Sequence, residues 1–365
     1  MNITVLQKDL LRALTVASRA IAVHSTMPVL EGVRLRAKDD ELQIYATDLK
    51  ISIFVKTPAE VHTPGEVILN ANLILNIVKK LPDEPIHLDI NGSTVKMKTA
   101  YSDFTLVAIE DGEYPELTEE EISTVFHVGA DTLRDGIAKT LFATGTELTR
   151  PVLTGVNFHR KGSTLDFAAL DGYRIAVRTS ELSTHEEGES IVPAKALTEL
   201  ARILPEEGDV EIGVTKSSIA FSFDGVRMYT RLIEGTFIRY ESVLETETTT
   251  ASIVTRSELA MALERASLLA REERSNLVKL QITKDSIHLT SNTALGQAKE
   301  CVKAETTGED LLIAFNARYL LEGLRALDGD RIKLSFSGSL RPLIMRDDKK
   351  DACFTYVVLP VKLAE

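Results

Sequence analysis

The chain repeats itself about every 123 residues, and this constrains its fold more than any other property of its 365 residues. Met27–Ile53 reads MPVLEGVRLRAKDDELQIYATDLKISI, Arg150–Ala176 reads RPVLTGVNFHRKGSTLDFAALDGYRIA, and Ser275–Lys299 reads SNLVKLQITKDSIHLTSNTALGQAK. Pro28 and Pro151 lie 123 positions apart, as do Asp48 and Asp171. A second anchor recurs in each copy: NANLIL from Asn70, PAKALTEL from Pro193 and FNARYLLEGL from Phe315. Two anchors keeping one offset make chance similarity untenable, and a unit of this length is a whole small domain rather than a solenoid repeat. Three domains follow, 1–122, 123–247 and 248–365. The junctions fall where Glu119-Glu120-Glu121 and Glu245–Thr250 are polar and lack apolar periodicity.

Each copy reads helix, strands, helix, strands. Leu10, Leu11, Leu14, Ala17, Ala20 and Ile21 recur three or four apart and predict a helix over Gln7–Val23. Its counterparts are Asp131–Phe142 and Ser257–Leu269, with Asp131 and Ser257 as N-caps. Second helices are expected over Ala71–Leu81, Ala194–Leu204 and Asn316–Leu327, two of them stopped by Pro82 and Pro205. Strict alternation over Ile86–Ile90, Val95–Lys98, Val210–Val214, Ile219–Phe223 and Ile332–Phe336 predicts antiparallel strands with one wet face. Asp171-Gly172 between two such runs is a hairpin turn. The domain is α+β, an antiparallel sheet with two helices laid on one side.

No apolar run approaches the roughly 18 residues needed to span a bilayer. MNITVLQKDLL carries Lys8 and Asp9 where a signal peptide has its apolar core, so the cytoplasm is the expected compartment. Cys301 and Cys353 form no CxxC pair; both fall in apparent strands of the third copy and read as reduced core or surface thiols. The net charge of −12 argues against a uniformly basic surface. Its distribution says more. The six helical spans hold twelve Lys and Arg against seven Asp and Glu, a net +5 that leaves −17 elsewhere. Solvated helix faces explain this as readily as a function does. If the helices face one way, however, they present a basic surface that attracts phosphate without reading sequence.

Motifs for catalysis are missing. The chain has no GxxxxGK[ST], GxGxxG, HExxH or GxSxG, and its seven histidines, His185 among them, show no metal-ligand spacing. Asp48 and Asp171 are equivalent in two copies, but the third has Asn292-Thr293 in that region, so turn formation accounts for them.

The MPVLEGVRL block with ATDL, RPVLTGVNF followed by ALDGYRIAV, FNARYLLEGL and the terminal YVVLPVKL (Tyr356–Leu363) carry a family resemblance. With all three repeats in register, the chain resembles the bacterial sliding clamp, the beta subunit of DNA polymerase III, over residues 1 to about 363. The resemblance implies three DNA-clamp domains per chain and a head-to-tail homodimer. Its antiparallel sheets would lie outside and its helices would face a central channel for duplex DNA. It implies a processivity factor with no cofactor, no metal and no catalysis, cytoplasmic and nucleoid-associated. It also implies a groove that docks linear motifs of the polymerase III catalytic subunit, the clamp loader, other polymerases, mismatch-repair proteins and ligase.

By position, the groove would be lined by Arg150, Leu153, Leu170, Gly172, Tyr173, Arg174, Ile175, Ile238, Val243 and Asn316. Tyr319, Leu340, Pro342, Met345, Val357, Val358, Leu359, Pro360 and Val361 complete it. Arg150, Arg174 and Asn316 are its expected polar anchors, while plain core is the competing reading for each aliphatic position. The apolar tail Val357–Leu363 should lie against something. Candidate DNA-facing residues are Arg19, His24, Lys79, Lys80, Lys139, Lys195 and Arg202. The chain departs from the commoner pattern at Tyr173, Ile238 and Ser275, and Ala364 and Glu365 extend past the usual terminal leucine. Dimer contacts are expected around Leu73–Phe104 and Leu268–Asn276. Two other readings stand beside this one: a paralogous clamp dedicated to repair or drug tolerance, and a DNA-processing enzyme on a repeated α+β scaffold.

Overall fold

The structure is a computed structural model that describes residues 1–110, 113–116, 121–182, 187–270 and 276–363. Expectations placed on Glu119, Glu120, His185, Ser275, Ala364 and Glu365, and on 271–275 of the expected dimer contact, lie outside the described residues. Among the described residues seven α-helices occur: α1 (Gln7–Ala17), α2 (Ala71–Val78), α3 (Ala130–Thr140), α4 (Ala194–Ile203), α5 (Glu241–Leu244), α6 (Arg256–Ala270) and α7 (Ala317–Ala326). Six hold the repeated places, and α5 is a single-turn addition in the tail of the second copy.

Helix ends differ from expectation for local reasons. Helix α1 stops at Ala17 and tightens into a 3-10 turn over Ser18–Ala20. There the Ala22 N–H turns away to donate to the Leu30 carbonyl at 2.9 Å. The same tightening ends α3, at Leu141–Ala143. Asp131 and Ser257 lie second in their helices, one residue inside the expected cap position. The strands Thr124–Gly129 and Thr250–Thr255 run straight into α3 and α6, leaving both side chains inside the first turn. Asparagines cap α2 and α7: Asn70 Oδ1 accepts the Leu73 N–H at 2.9 Å and Asn316 Oδ1 accepts the Arg318 N–H at 3.0 Å. Cys301 lies in the strand Gly296–Thr307, but Cys353 precedes Phe354–Val358 in a loop, and both thiols are exposed.

By compactness the chain divides into two units, Met1–Asp131 with Lys195–Leu232, and Thr132–Ala194 with Ile233–Glu365. Strand pairing explains why the division cuts through the second copy. In the first unit, Val226–Arg231 of copy two pairs antiparallel with Ile51–Pro58 of copy one, giving a continuous eight-stranded sheet beside a five-stranded one. In the second unit, Arg174–Glu181 of copy two pairs antiparallel with Phe354–Val358 of copy three within a twelve-stranded sheet. The registers correspond: Ile51 faces Thr230 in one junction and Arg174 faces Val358 in the other.

The apolar stripes are where periodicity placed them. Leu10, Ala13, Leu14 and Ala17 of α1, and Ala317, Leu320, Leu321 and Leu324 of α7, are buried. In the second unit Leu153, Ala168, Leu170, Val177, Ile191, Phe237 and Tyr240 form one core cluster, with Ile175 packed against it. That cluster is the floor beneath the candidate site.

Candidate functional site

The site is built on the turn between the strands Thr164–Leu170 and Arg174–Glu181. Asp171 fixes the turn by accepting the N–H groups of Tyr173 (2.9 Å) and Arg174 (3.1 Å) on one carboxylate oxygen. Gly172 takes φ +94°, a left-handed conformation open to glycine at little cost. The turn lifts Tyr173 into solvent, 61 % exposed, while Arg174 turns inward and is 6 % exposed.

Arg174 is engaged at all three of its nitrogens. Its Nε donates to Asp171 Oδ2 at 2.9 Å, one terminal nitrogen to Glu322 of α7, and the other to the Phe142 carbonyl at 2.6 Å. Burial opposes its charge, but the hydrogen bond with Glu322 and the neighbouring anionic groups outweigh it and raise the guanidinium pKa. Glu322 answers in kind. Burial would raise its pKa, yet hydrogen bonds from Arg318 and Arg174 hold it below the usual carboxylate range. The Tyr319 ring stacks on that of Tyr173, centroids 6.2 Å apart and planes 24° from parallel. The buried Tyr356 hydroxyl donates to the Tyr319 carbonyl at 2.9 Å, fastening α7 to the terminal strand.

Beside this pair opens a cavity of about 340 Å³, lined by Thr144–Glu147, Arg150, Leu153, Asp171, Tyr173, Arg174, Arg318 and Tyr319. A second cavity of about 690 Å³ lies at Leu312–Ala314, Ser339, Leu340 and Val361–Leu363. The C-terminal tail connects the two regions: the Leu359 N–H donates to the Tyr173 carbonyl and the Val361 N–H to the Ala314 carbonyl, each at 2.8 Å.

Gly172 forms the turn, Leu359 is exposed, Pro360 and Asn316 are half-buried, and the other expected lining residues sort into three groups. Arg150, Leu153, Tyr173, Arg174 and Tyr319 line the first cavity, and Leu340 and Val361 the second. Leu170, Met345, Val357 and Val358 are buried supports, and Ile175 and Pro342 are half-buried. Ile238, 47 % exposed, and half-buried Val243 belong to the segment anchored by Phe237 and Tyr240, and neither lines those two cavities. Of the three polar anchors only Arg150 is available. Arg174 is consumed by its own partners and the Asn316 side chain caps α7, whereas exposed Arg150 has no ion pair among the described residues. The reading of the sequence missed Thr144–Glu147, Arg318 and Glu322; the turn-rich ATGTE run before RPVL was the available signal for the first.

The basic candidates divide as well. Arg19 and Arg202 converge on Glu199, at 3.9 and 2.7 Å, and Lys195 reaches Asp48 at 2.6 Å. Lys139 is buried, held by Asp135 at 3.2 Å and by Asp328. His24, Lys79 and Lys80 are exposed and lack an ion-pair partner among the described residues. No helix among the described residues is long and apolar enough to cross a membrane.

Family models of the DNA polymerase III beta subunit match the chain in three pieces: the N-terminal domain over 1–118, the central domain over 127–238 and the C-terminal domain over 241–362. The beta sliding clamp of Bacillus subtilis is 32% identical over 377 residues, covering 99% of this chain and 100% of the relative. That of Staphylococcus aureus (strain Mu50) is 31% identical with 99% of each covered. A crystal structure of the Bacillus subtilis DNA polymerase sliding clamp superposes with a TM-score of 0.95 at 31% identity, both chains fully covered.

Proposed function

The chain belongs to the DNA polymerase III beta-subunit family, a family of non-catalytic sliding clamps that act with DNA and polymerase III, and from that premise we propose how its parts divide the work. Two copies close head to tail into a ring whose six domains, bounded near residues 122 and 248 in each chain, surround duplex DNA. Retention is topological: encirclement prevents dissociation, while weak phosphate contacts leave sliding free. An open sheet edge supports the dimer. The strand Asp103–Val107 ends its five-stranded sheet, next to Tyr101, 92 % exposed.

The cavity between Arg150 and the Tyr173–Tyr319 stack is the docking groove for polymerase, loader, repair and ligase motifs. Supporting this is a preformed wall: Arg174, held on three sides, sets both the turn and α7, so the groove needs no rearrangement to accept a peptide. Arg150 is the cation left for an acidic group of the motif. Neither a paralogous clamp nor a DNA-processing enzyme is favoured by the comparisons.

Retention tests the ring. Protein loaded onto nicked circular duplex stays bound and runs off once that duplex is linearised; equal retention on both forms would exclude encirclement. Replacing Tyr319 by alanine abolishes polymerase stimulation without changing the mass by light scattering. Stimulation that survives the change places the groove elsewhere.

A further inference from the structure

The repeat carries the turn of the groove into the first unit, where different chemistry stands on it. At the offset of 123, Asp48 corresponds to Asp171, Leu49 to Gly172 and Pro115 to Ile238. Asp48 keeps the role of its counterpart, accepting the N–H groups of Lys50 at 3.0 Å and Ile51 at 2.8 Å. Next to this turn is a cavity of about 460 Å³, whose lining includes Thr47, Leu49, Lys50, Ser52, Pro115 and Arg231.

Leu49 is the unexpected residue there. Its φ of +70° is a left-handed conformation that a leucine adopts only against steric cost, at a position where the second copy uses glycine. It is also 53 % exposed, so core packing does not compensate for the strain. Leu49 and the Pro115 ring give the cavity an apolar rim, and its floor is hydroxylic. Thr47, Ser52 and Thr230 are buried, with the Thr47 and Ser52 hydroxyls 2.8 Å apart.

Among the described residues the charge around it is unbalanced. Glu116, the carboxylate of the lining, is already held by Arg34 at 3.0 Å and Arg36 at 3.7 Å. Lys50 and Arg231 are exposed and have no ion-pair partner among the described residues. Two uncommitted cations beside an apolar rim complement an acidic peptide with an apolar side chain. Bare phosphate would leave Leu49 and Pro115 unmatched.

We propose that this cavity is a second docking site of the chain, for a short extended peptide in which an apolar residue is flanked by Asp or Glu. It is separate from the groove in the second unit and does not depend on that groove binding anything.

The probe is a fluorescein-labelled hexapeptide, Glu-Asp-Leu-Phe-Asp-Glu, titrated against the full chain by anisotropy at low salt. Tyr319→Ala removes any binding of this acidic, apolar probe at the other groove and leaves a saturable binding curve, on which the remaining substitutions are measured. The pair Lys50→Glu with Arg231→Glu, both on the surface, lowers the affinity about tenfold or more, as loss and reversal of two rim charges requires. Leu49→Gly raises the melting temperature while weakening the peptide several-fold, a combination that a purely structural leucine does not give. The proposal is overturned by any of three results. The charge-reversed protein, folded by circular dichroism, binds the peptide unchanged. Tyr319→Ala alone removes binding. A 20-base-pair duplex displaces the peptide and is itself lost on charge reversal, which makes the cations a phosphate site.

Discussion

The guanidinium of Arg174 lies 4.6 Å from the centre of the Tyr319 ring, with its hydrogen bonds spent on Asp171, Glu322 and the Phe142 carbonyl. One side chain thus ties the hairpin turn of the second copy to the first helical turns of α7 in the third. A planar fork with several donors suits that task and a lysine ammonium does not.

Arg174→Ala is expected to destabilise the protein by about 3–5 kcal/mol, because Glu322 and Asp171 keep their charges at a partly buried site with their partner gone. Arg174→Lys recovers only part of this loss, since one ammonium cannot replace the fork. Urea denaturation of the three proteins checks the order, and a lysine variant as stable as the parent would contradict it.

Tyr319 is only half-buried, so its replacement separates docking from folding. Tyr319→Ala should cost about 1 kcal/mol of stability but about 2 kcal/mol or more of motif affinity, as an aromatic anchor of a peptide groove does. Tyr319→Phe keeps the ring and its stack on Tyr173, and should bind within a few-fold of the parent. Calorimetric titration with a polymerase-derived motif peptide, alongside thermal melts, measures both.

Much of this fold was legible in the residues, and the reason is periodicity. Leu10, Leu14 and Ala17 announce α1, and the alternation in Val210–Val214 announces its strand, because burial of one face imposes the pattern on the sequence. Sheet continuity across the copies was not legible: pairing of Ile51 with Thr230 is a backbone event that selects no side chain. The groove was half legible. Arg150, Tyr173 and Tyr319 are exposed or half-exposed, and resemblance located them. Arg174 looked like a free anchor because its partner Glu322 lies 148 positions away, beyond any local signal. Lys139 was misleading in the same way: Asp135 is one helical turn off, but Asp328 is 189 positions distant.

Acid should loosen the groove before alkali does. The Glu322 pKa lies below its ordinary value near 4.5, because the hydrogen bonds from Arg318 and Arg174 outweigh the burial that would raise it. A carboxyl depressed in the folded state contributes stability that is complete above its unfolded pKa and is lost as the pH falls through the folded one. Melting temperature should therefore hold between about pH 5 and 7 and drop below about pH 4. In Glu322→Gln the acid limb should be shallower from a lower plateau; an unchanged limb would show that other carboxylates carry it. Asp48, depressed by its hydrogen bonds with Lys195 and the Ile51 and Lys50 amides against the desolvation of burial, adds a limb of the same sign in the first unit.

The tail carries a prediction of its own. Deleting 359–365 removes the hydrogen bonds from Leu359 to the Tyr173 carbonyl and from Val361 to the Ala314 carbonyl, but spares the strand Phe354–Val358. Stability should fall by only about 1–3 kcal/mol, the yield of two partly exposed hydrogen bonds and some apolar packing. Polymerase stimulation should disappear, because the second cavity loses the wall made by Val361–Leu363 and Tyr173 of the first loses its tether to Leu359. Primer extension on singly primed circular template reads the second effect and light scattering confirms that assembly is intact.

The basic residues should separate by salt dependence. Lys79 and Lys80 follow the last residue of α2, exposed and without a carboxylate partner among the described residues, so each is free to displace a counterion from DNA. Lys139 is held between Asp135 and Asp328, and its charge is already compensated. If both free lysines meet phosphate, Lys79→Ala with Lys80→Ala should reduce the slope of log affinity against log salt by about 1.8, roughly 0.9 for each phosphate no longer neutralised. Lys139→Ala should leave that slope where it was and lower stability by about 1–3 kcal/mol, since it strips a buried cation from two acids. Binding of a short duplex over a salt series, with a denaturant melt of each variant, distinguishes the two behaviours. A slope that falls with Lys139→Ala and not with the pair would reverse the assignment, making the ion-paired lysine the one that opens toward DNA.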